Sequence, residues 1–212
     1  MTESPSQHVL IGPHPVPVVL ASASRARAAM LEQAGVICAA RPANVDEVEV
    51  KRSLQAADAA VADVAVALAA LKAETVSRRT PGVLVIGADQ MLECGGVWFD
   101  KPAGREGARA TLRALRGRDH RLISAVVAAE DGRRVWHHVD QVTLSMRAFD
   151  DAFLETYLDA VGEAAFGSVG AYQLEGLGAQ LIRRVDGDFF TVLGMPLLPL
   201  LAFLRDRGVL AA

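Results

Sequence analysis

"VLVIGADQMLECGGVWFDKP", residues 83–102, runs from an uncharged apolar segment through Asp89 to a glycine pair and Lys101-Pro102. Val83 to Ala88 carry no charge, and then the carboxylate of Asp89 appears. An apolar run that does not alternate has both faces covered, so "GVLVIGAD" predicts a strand inside a sheet that ends on Asp89. Gly95-Gly96 signals a two-residue hairpin. In an ideal hairpin around it, Cys94 faces Val97 and Gln90 faces Lys101, so Lys101 shares the face of Gln90 and not that of Asp89. Lys101 and Asp89 converge only where the ladder ends or bulges near Asp100. Pro102 favours an end there, because it cannot donate to the ladder.

Working outward, "VPVVLA" (16–21) reads as a strand, and Ser22-Ala23-Ser24 offers capping hydroxyls to the helix "RARAAMLEQAG", which Gly35 stops. "VICAARPANVDE" is a second strand running into a loop. From about Ala56 to Ser77 an Ala/Val/Leu-rich stretch reads as one helical segment, with Lys72 in its last third. Downstream, 103–116 forms a helix with Ala108, Leu112 and Leu115 on one side. Strands at about 119–129 and 134–147 are joined by the Asp131-Gly132 turn. Asp150 caps a helix in "DDAFLETYLDAVG". A Gly-rich stretch, the strand "AQLIRRV" and a helix at about 197–207 complete the chain. Strands alternate with helices but hairpins intervene. The expected class is therefore α/β, a mixed twisted sheet with flanking helices.

The 212 residues suit a single domain at 16–212, preceded by a flexible extension at 1–15 that is broken by Pro5, Pro13 and Pro15. With 51% hydrophobic and 22% charged residues, a filled core is expected and global disorder is not. A net charge of −3 argues against a general nucleic-acid binder, which needs a basic face. Two cysteines without CxxC spacing fit a reducing cytoplasm better than a disulfide framework or a zinc site. No apolar run reaches the length of a membrane span, and the first residues do not read as a signal peptide. Trp98 and Trp136 fit either the core or a homodimer interface.

Two places can carry chemistry. At "LASASRARAAMLEQAG" a strand leads through serines into a helix N-terminus, where free amides and the dipole attract anions. Arg25 and Arg27 stand there against the dipole, so either a bound phosphate compensates them or they point into water. No Walker loop is present. Asp89, at the carboxyl edge of a strand, can hold Mg²⁺ or Mn²⁺ together with Asp46 or Glu47, and a metal-bound water can attack a phosphoryl group. The plainer reading has Asp89 capping a turn or pairing with a lysine. The histidines (His8, His14, His120, His137 and His138) have no ligand spacing.

In order along the chain, "LASASRARAAML", Asp46-Glu47, "LAALKA", "GADQ", Lys101-Pro102, "GAYQLEGLG" and "VLGMPL" resemble the motif series of the Maf family of nucleoside triphosphate pyrophosphatases, from Val18 to about Leu204. The resemblance implies a Maf/ITPase-like fold with two lobes around a long cleft. It also implies hydrolysis of a nucleoside triphosphate to the monophosphate and pyrophosphate with a divalent cation. By the same resemblance Asp89 is the catalytic carboxylate and, with Glu47, a metal ligand. Ser22, Ser24, Arg27, Lys72 and Lys101 are phosphate-binding residues, and Ala26, Gln90 and Glu175 set specificity.

The first motif departs from the family, since Arg25 replaces a proline and Ala26 the first of two arginines. Members acting on dTTP and UTP resemble one another in a Thr after the aspartate and a Gln in the Gly-rich element. Gln90 and Glu175 instead resemble the 7-methyl-GTP type, although that type usually has an aromatic at Ala26 and lacks "AYQ". A modified purine nucleotide, 7-methyl-GTP first, is the expected substrate. The alternatives are a dTTP/UTP pyrophosphatase, a catalytically weak nucleotide-binding regulator of cell division, and a phosphatase acting on monophosphates.

Overall fold

The computed structural model describes residues 11–12 and 16–211. Most of the expected N-terminal extension, with His8 and His14, lies outside the described residues. Ile11 bridges antiparallel to Leu210, and the Gly12 amide donates to the Val209 carbonyl at 3.0 Å.

From the N-terminus the elements are β1 (Val18–Leu20), α1 (Arg25–Gln33), β2 (Cys38–Ala40), α2 (Glu47–Ala56), α3 (Val61–Ser77), β3 (Leu84–Cys94) and β4 (Val97–Phe99). Then follow α4 (Gly104–Leu115), β5 (Asp119–Glu130), β6 (Arg133–Met146), α5 (Asp151–Val161), β7 (Ile182–Asp186), α6 (Phe189–Val192) and α7 (Leu197–Asp206). The strands form a seven-stranded sheet in the order β2-β1-β3-β5-β6-β7, with β4 paired to β3. β1 runs parallel to β2 and β3, whereas β4 on β3 and β7 on β6 are antiparallel. The sheet is mixed, as the intervening hairpins predict.

Three expectations need correction. β3 does not end on Asp89 but continues to Cys94, and all its residues except Gln90 are buried. What ends earlier is its parallel partner: the last register pair with β1 is Leu20 with Ile86. Asp89 thus lies beyond the carboxyl end of β1, on a strand that carries on into a hairpin. The stretch at 56–77 is not one helix, because Asp58 adopts φ 54° and α3 starts only at Val61. A short polar side chain tolerates that left-handed conformation, which no helix can continue through. The loop expected around Glu47 is helix α2, whose N-cap is Asp46.

The hairpin forms as predicted, with Cys94 opposite Val97 and Leu92 opposite Phe99. Gly95 and Gly96 take φ 61° and 83°, the two positive values that a type I′ turn demands. The ladder stops at Phe99, so Lys101 is off it.

The chain divides into two compact units: Met1–Asp89 with Ala125–Val139 and Gly194–Ala212, and Gln90–Ser124 with Asp140–Leu193. In the first, Val18 to Ala21, Leu84 to Ile86 and the helix residues Leu31, Val64 and Leu68 are buried. Trp136 stacks on Phe203 there, with ring centroids 4.7 Å apart. In the second, Leu112, Leu115, Leu144, Leu154 and Leu158 centre the core. The Asp150 carboxylate caps α5 by accepting from the Phe153 amide at 2.8 Å. No helix among the described residues is long and apolar enough to cross a membrane.

Candidate functional site

The site grows out of one helix stripe. Along α3, Val64, Leu68, Lys72 and Val76 recur every four residues and are all buried, with Ala65, Ala69 and Ala73 beside them. A lysine on an apolar stripe is costly unless its ammonium finds an anion. The alanines let the helix lie close to β3 at Gly87, where an added Cβ would stand 2.3 Å from the Ala69 carbonyl oxygen and 2.8 Å from the Ala73 nitrogen. That close approach puts Lys72 beside the strand. Its Nζ donates to Asp89 Oδ1 at 2.7 Å and lies 2.9 Å from Glu47 Oε2.

The three side chains differ in exposure. Those of Lys72 and Asp89 are 10% and 7% exposed, and that of Glu47 is 42% exposed. Asp89 Oδ2 is buried and has no hydrogen-bond partner among the described residues. Leaving such an atom unsatisfied costs about 1–3 kcal/mol, more when it is charged, so it marks a position held for something other than stability. Of the two acidic candidates beside Asp89, Asp46 is committed to its helix, accepting from the Glu49 amide at 3.0 Å. Glu47 is the one that reaches Lys72.

The other half of this cluster comes from the start of α1. Ser24 caps the helix, its hydroxyl accepting from the Arg27 amide at 3.4 Å. Ser22, also buried, accepts from the Ser24 amide at 3.2 Å and from Arg27 Nη1 at 3.4 Å. Arg27 neither points into water nor waits for a phosphate to anchor it. Its Nε donates to the Gly194 carbonyl at 2.8 Å and its Nη1 to the Ala88 carbonyl at 2.9 Å. Two carbonyl dipoles thus supply the reason for a cation set against the helix dipole. Burial pushes the guanidinium below its ordinary value, while the charges of Asp89 and Glu47 push it back up. Arg25 is exposed and Ala26 is half-buried.

The remaining candidates belong to the second unit. Gln90 Nε2 lies 3.0 Å from each of Ser124 Oγ and the carbonyl oxygens of Thr191 and Val192. Carbonyls only accept, so the amide group must face them, and Oε1 is the end that Gln90 keeps for other donors. Lys101 is exposed, just past the ladder. Glu175 is exposed in a turn closed by the Gly176 amide donating to the Gln173 carbonyl at 3.1 Å.

In the same unit His120 and Tyr172 are both buried and share a hydrogen bond of 2.6 Å between Nε2 and Oη. Desolvation pushes His120 down to about 4 and Tyr172 upward, so both stay uncharged at neutral pH. Sequence reading missed this pair. The only signal was a lone histidine at the start of an apolar strand.

Glu47, Lys72 and Asp89 are thus brought together, with Ser22 and Arg27 alongside through the Ala88 carbonyl. Sequence reading also missed the Ala88 and Gly194 carbonyls and the close contact at Gly87. A glycine inside an otherwise apolar strand was the available sign of the last.

The chain matches the family described as Maf-like protein over residues 17–207. A nucleoside triphosphate pyrophosphatase of Paramagnetospirillum magneticum is 62% identical over 192 residues, covering 91% of this chain and 99% of that protein. One of Granulibacter bethesdensis is 55% identical over 193 residues, covering 91% and 98%. A 7-methyl-GTP pyrophosphatase of Mesorhizobium japonicum is 49% identical over 193 residues, covering 91% and 97%.

Proposed function

The chain belongs to the Maf-like protein family, and from that premise we propose that it hydrolyses a nucleoside triphosphate between the α- and β-phosphates, with Asp89 as the catalytic carboxylate. The observation that carries this reading is the buried Asp89 oxygen left without a partner beside a lysine and a second carboxylate.

The residues suit a divalent cation. Asp89 and Glu47 offer two carboxylates, and Mg²⁺ is commonly held by one or two carboxylates with substrate phosphates completing the shell. Such an ion would neutralise charge on the non-bridging oxygens and make water a better nucleophile. The protein's own part is as follows. Asp89 Oδ2 orients a water towards the α-phosphorus and takes its proton as the new P–O bond forms. The bond to the bridging oxygen breaks, and pyrophosphate leaves with that oxygen. Lys72, carried on a helix fixed against β3, supplies positive charge to the phosphates. Arg27 holds the Ala88 carbonyl, and with it the backbone that carries Asp89. The serines at the start of α1 add phosphate contacts in this reading, and Lys101, in the second unit, remains a candidate for the same task.

For the base, a modified purine nucleotide, 7-methyl-GTP first, is favoured. The Gln90 oxygen and the Glu175 carboxylate are acceptors, which suit the ring N–H donors and positive charge of 7-methylguanine. The name of the Mesorhizobium japonicum relative supports the same choice.

The test is release of pyrophosphate from 7-methyl-GTP, 5-methyl-UTP, dTTP and UTP with Mg²⁺ or Mn²⁺. Pyrophosphate from each substrate cleaved, fastest with 7-methyl-GTP, is expected. Release of orthophosphate alone would favour a phosphatase, and binding without release a regulator.

A further inference from the structure

Lys72 is placed for more than phosphate binding. Resting on the reading that Asp89 and Glu47 hold a divalent cation, we propose that Lys72 is the placeholder for that ion. In the free protein its ammonium occupies the position between the two carboxylates, so the ion is admitted only together with the polyphosphate.

Three observations meet here. The ammonium lies 2.7 Å from Asp89 and 2.9 Å from Glu47, which is where a cation shared by both would sit. Its anchor cannot move away, because Lys72 is on the buried stripe of α3 and that helix is seated against β3 at Gly87, so without another anion the ammonium stays on the carboxylates. The acids alone make a poor cage: among the described residues no group of three or more His, Cys, Asp or Glu side chains is suited to a metal. A bare dication approaching this cluster meets a fixed positive charge at a few ångströms, and it gains only two carboxylates. When polyphosphate oxygens arrive, the ammonium has anionic acceptors to turn to. Asp89 Oδ1 and Glu47 Oε2 are then released, and the phosphates themselves bring the missing ligands. The lysine also keeps two neighbouring carboxylates from standing bare in the resting protein, where their mutual repulsion would be uncompensated.

The test uses Mn²⁺ alone as probe on the full chain, by calorimetry or by the paramagnetic signal of free Mn²⁺. The wild type and Lys72→Met are compared with and without inorganic pyrophosphate. Lys72→Met keeps the length and apolar stem and removes the charge. Should it fail to fold, Lys72→Gln serves the same purpose.

Without pyrophosphate the variant is expected to bind Mn²⁺ at least about tenfold more tightly than the wild type. With pyrophosphate the wild type is expected to gain Mn²⁺ affinity. Equal affinity in wild type and variant, with Mn²⁺ still bound when pyrophosphate is present, overturns the placeholder role and leaves the cation reading standing. Failure of both proteins to bind Mn²⁺ under either condition overturns both.

Discussion

The cluster at Asp89 and the pair at His120 and Tyr172 both take polar atoms out of water, and they do so by opposite means. At Asp89 the side chains form an ion pair and one oxygen is left over. At His120 both groups are driven to their neutral forms and share one hydrogen bond, and the atom left over, the buried Nδ1, belongs to an uncharged ring. An unpaired nitrogen on a neutral ring costs less to bury than an unpaired oxygen on a charged group. A fold keeps an open oxygen of a charged carboxylate where it has a task. The charge on the leftover atom is what separates a site from a staple here. Rate should depend on the first region and stability on the second.

The largest expected effect tests the first half of that statement. Asp89→Asn should lower the rate of pyrophosphate release by at least about 10²-fold, as loss of an acid–base or metal role does, while the unfolding midpoint in urea moves little. A variant with a normal rate and a lower midpoint would make Asp89 a second staple.

Next comes acid. His120 takes up its proton at about pH 4 in the folded chain, against an ordinary value near 6.5. The unfolded chain therefore binds a proton over that window and the folded chain does not. Stability is full above about pH 6.5 and falls as the pH drops towards 4. Urea titrations at pH 7 and pH 4.5 should differ by about 2–3 kcal/mol from this residue, and His120→Gln should remove that part of the slope. An unchanged slope in the variant would show that His120 does not govern acid stability.

The smallest effect sharpens the boundary between the regions. At Gly87 the atoms an added methyl would meet are mostly backbone, which cannot swing aside. Gly87→Ala should destabilise by about 2 kcal/mol through overpacking. Because it also shifts the helix that carries Lys72, it should lower turnover as well. It is the one substitution of the three expected to move both readouts, and a loss of stability alone would mean that Lys72 keeps its place without the close contact.

Local signals made much of this legible in the sequence. The hairpin at Gly95-Gly96 and the cap at Asp150 are written in adjacent residues, and the turn at Asp131-Gly132 likewise needs only its two positive φ values, 48° and 78°. Helix α2 was not legible because none of its residues is buried, so it has no apolar stripe to read. Its capping aspartate looked instead like a ligand. β3 was cut short at Asp89 because a charge normally marks the end of a buried run, whereas here Lys72 neutralises it inside the sheet. The motif order brought Glu47, Lys72 and Asp89 to notice. It could not tell that the lysine lies between the two acids, because helix register and strand position decide that in three dimensions. Nor could it give the partners of Arg27, which are backbone carbonyls with no side-chain signature at all.

Those partners stand 61 and 167 residues further along the chain. During synthesis, Ser22, Glu47, Lys72 and Asp89 have all left the ribosome while Gly194 is still to be made. A nascent chain halted before that glycine holds every acidic and basic member of the cluster, yet its arginine has only one of its two carbonyl moorings. Completion of the centre therefore waits until translation has passed Gly194, long after its charged members have been made.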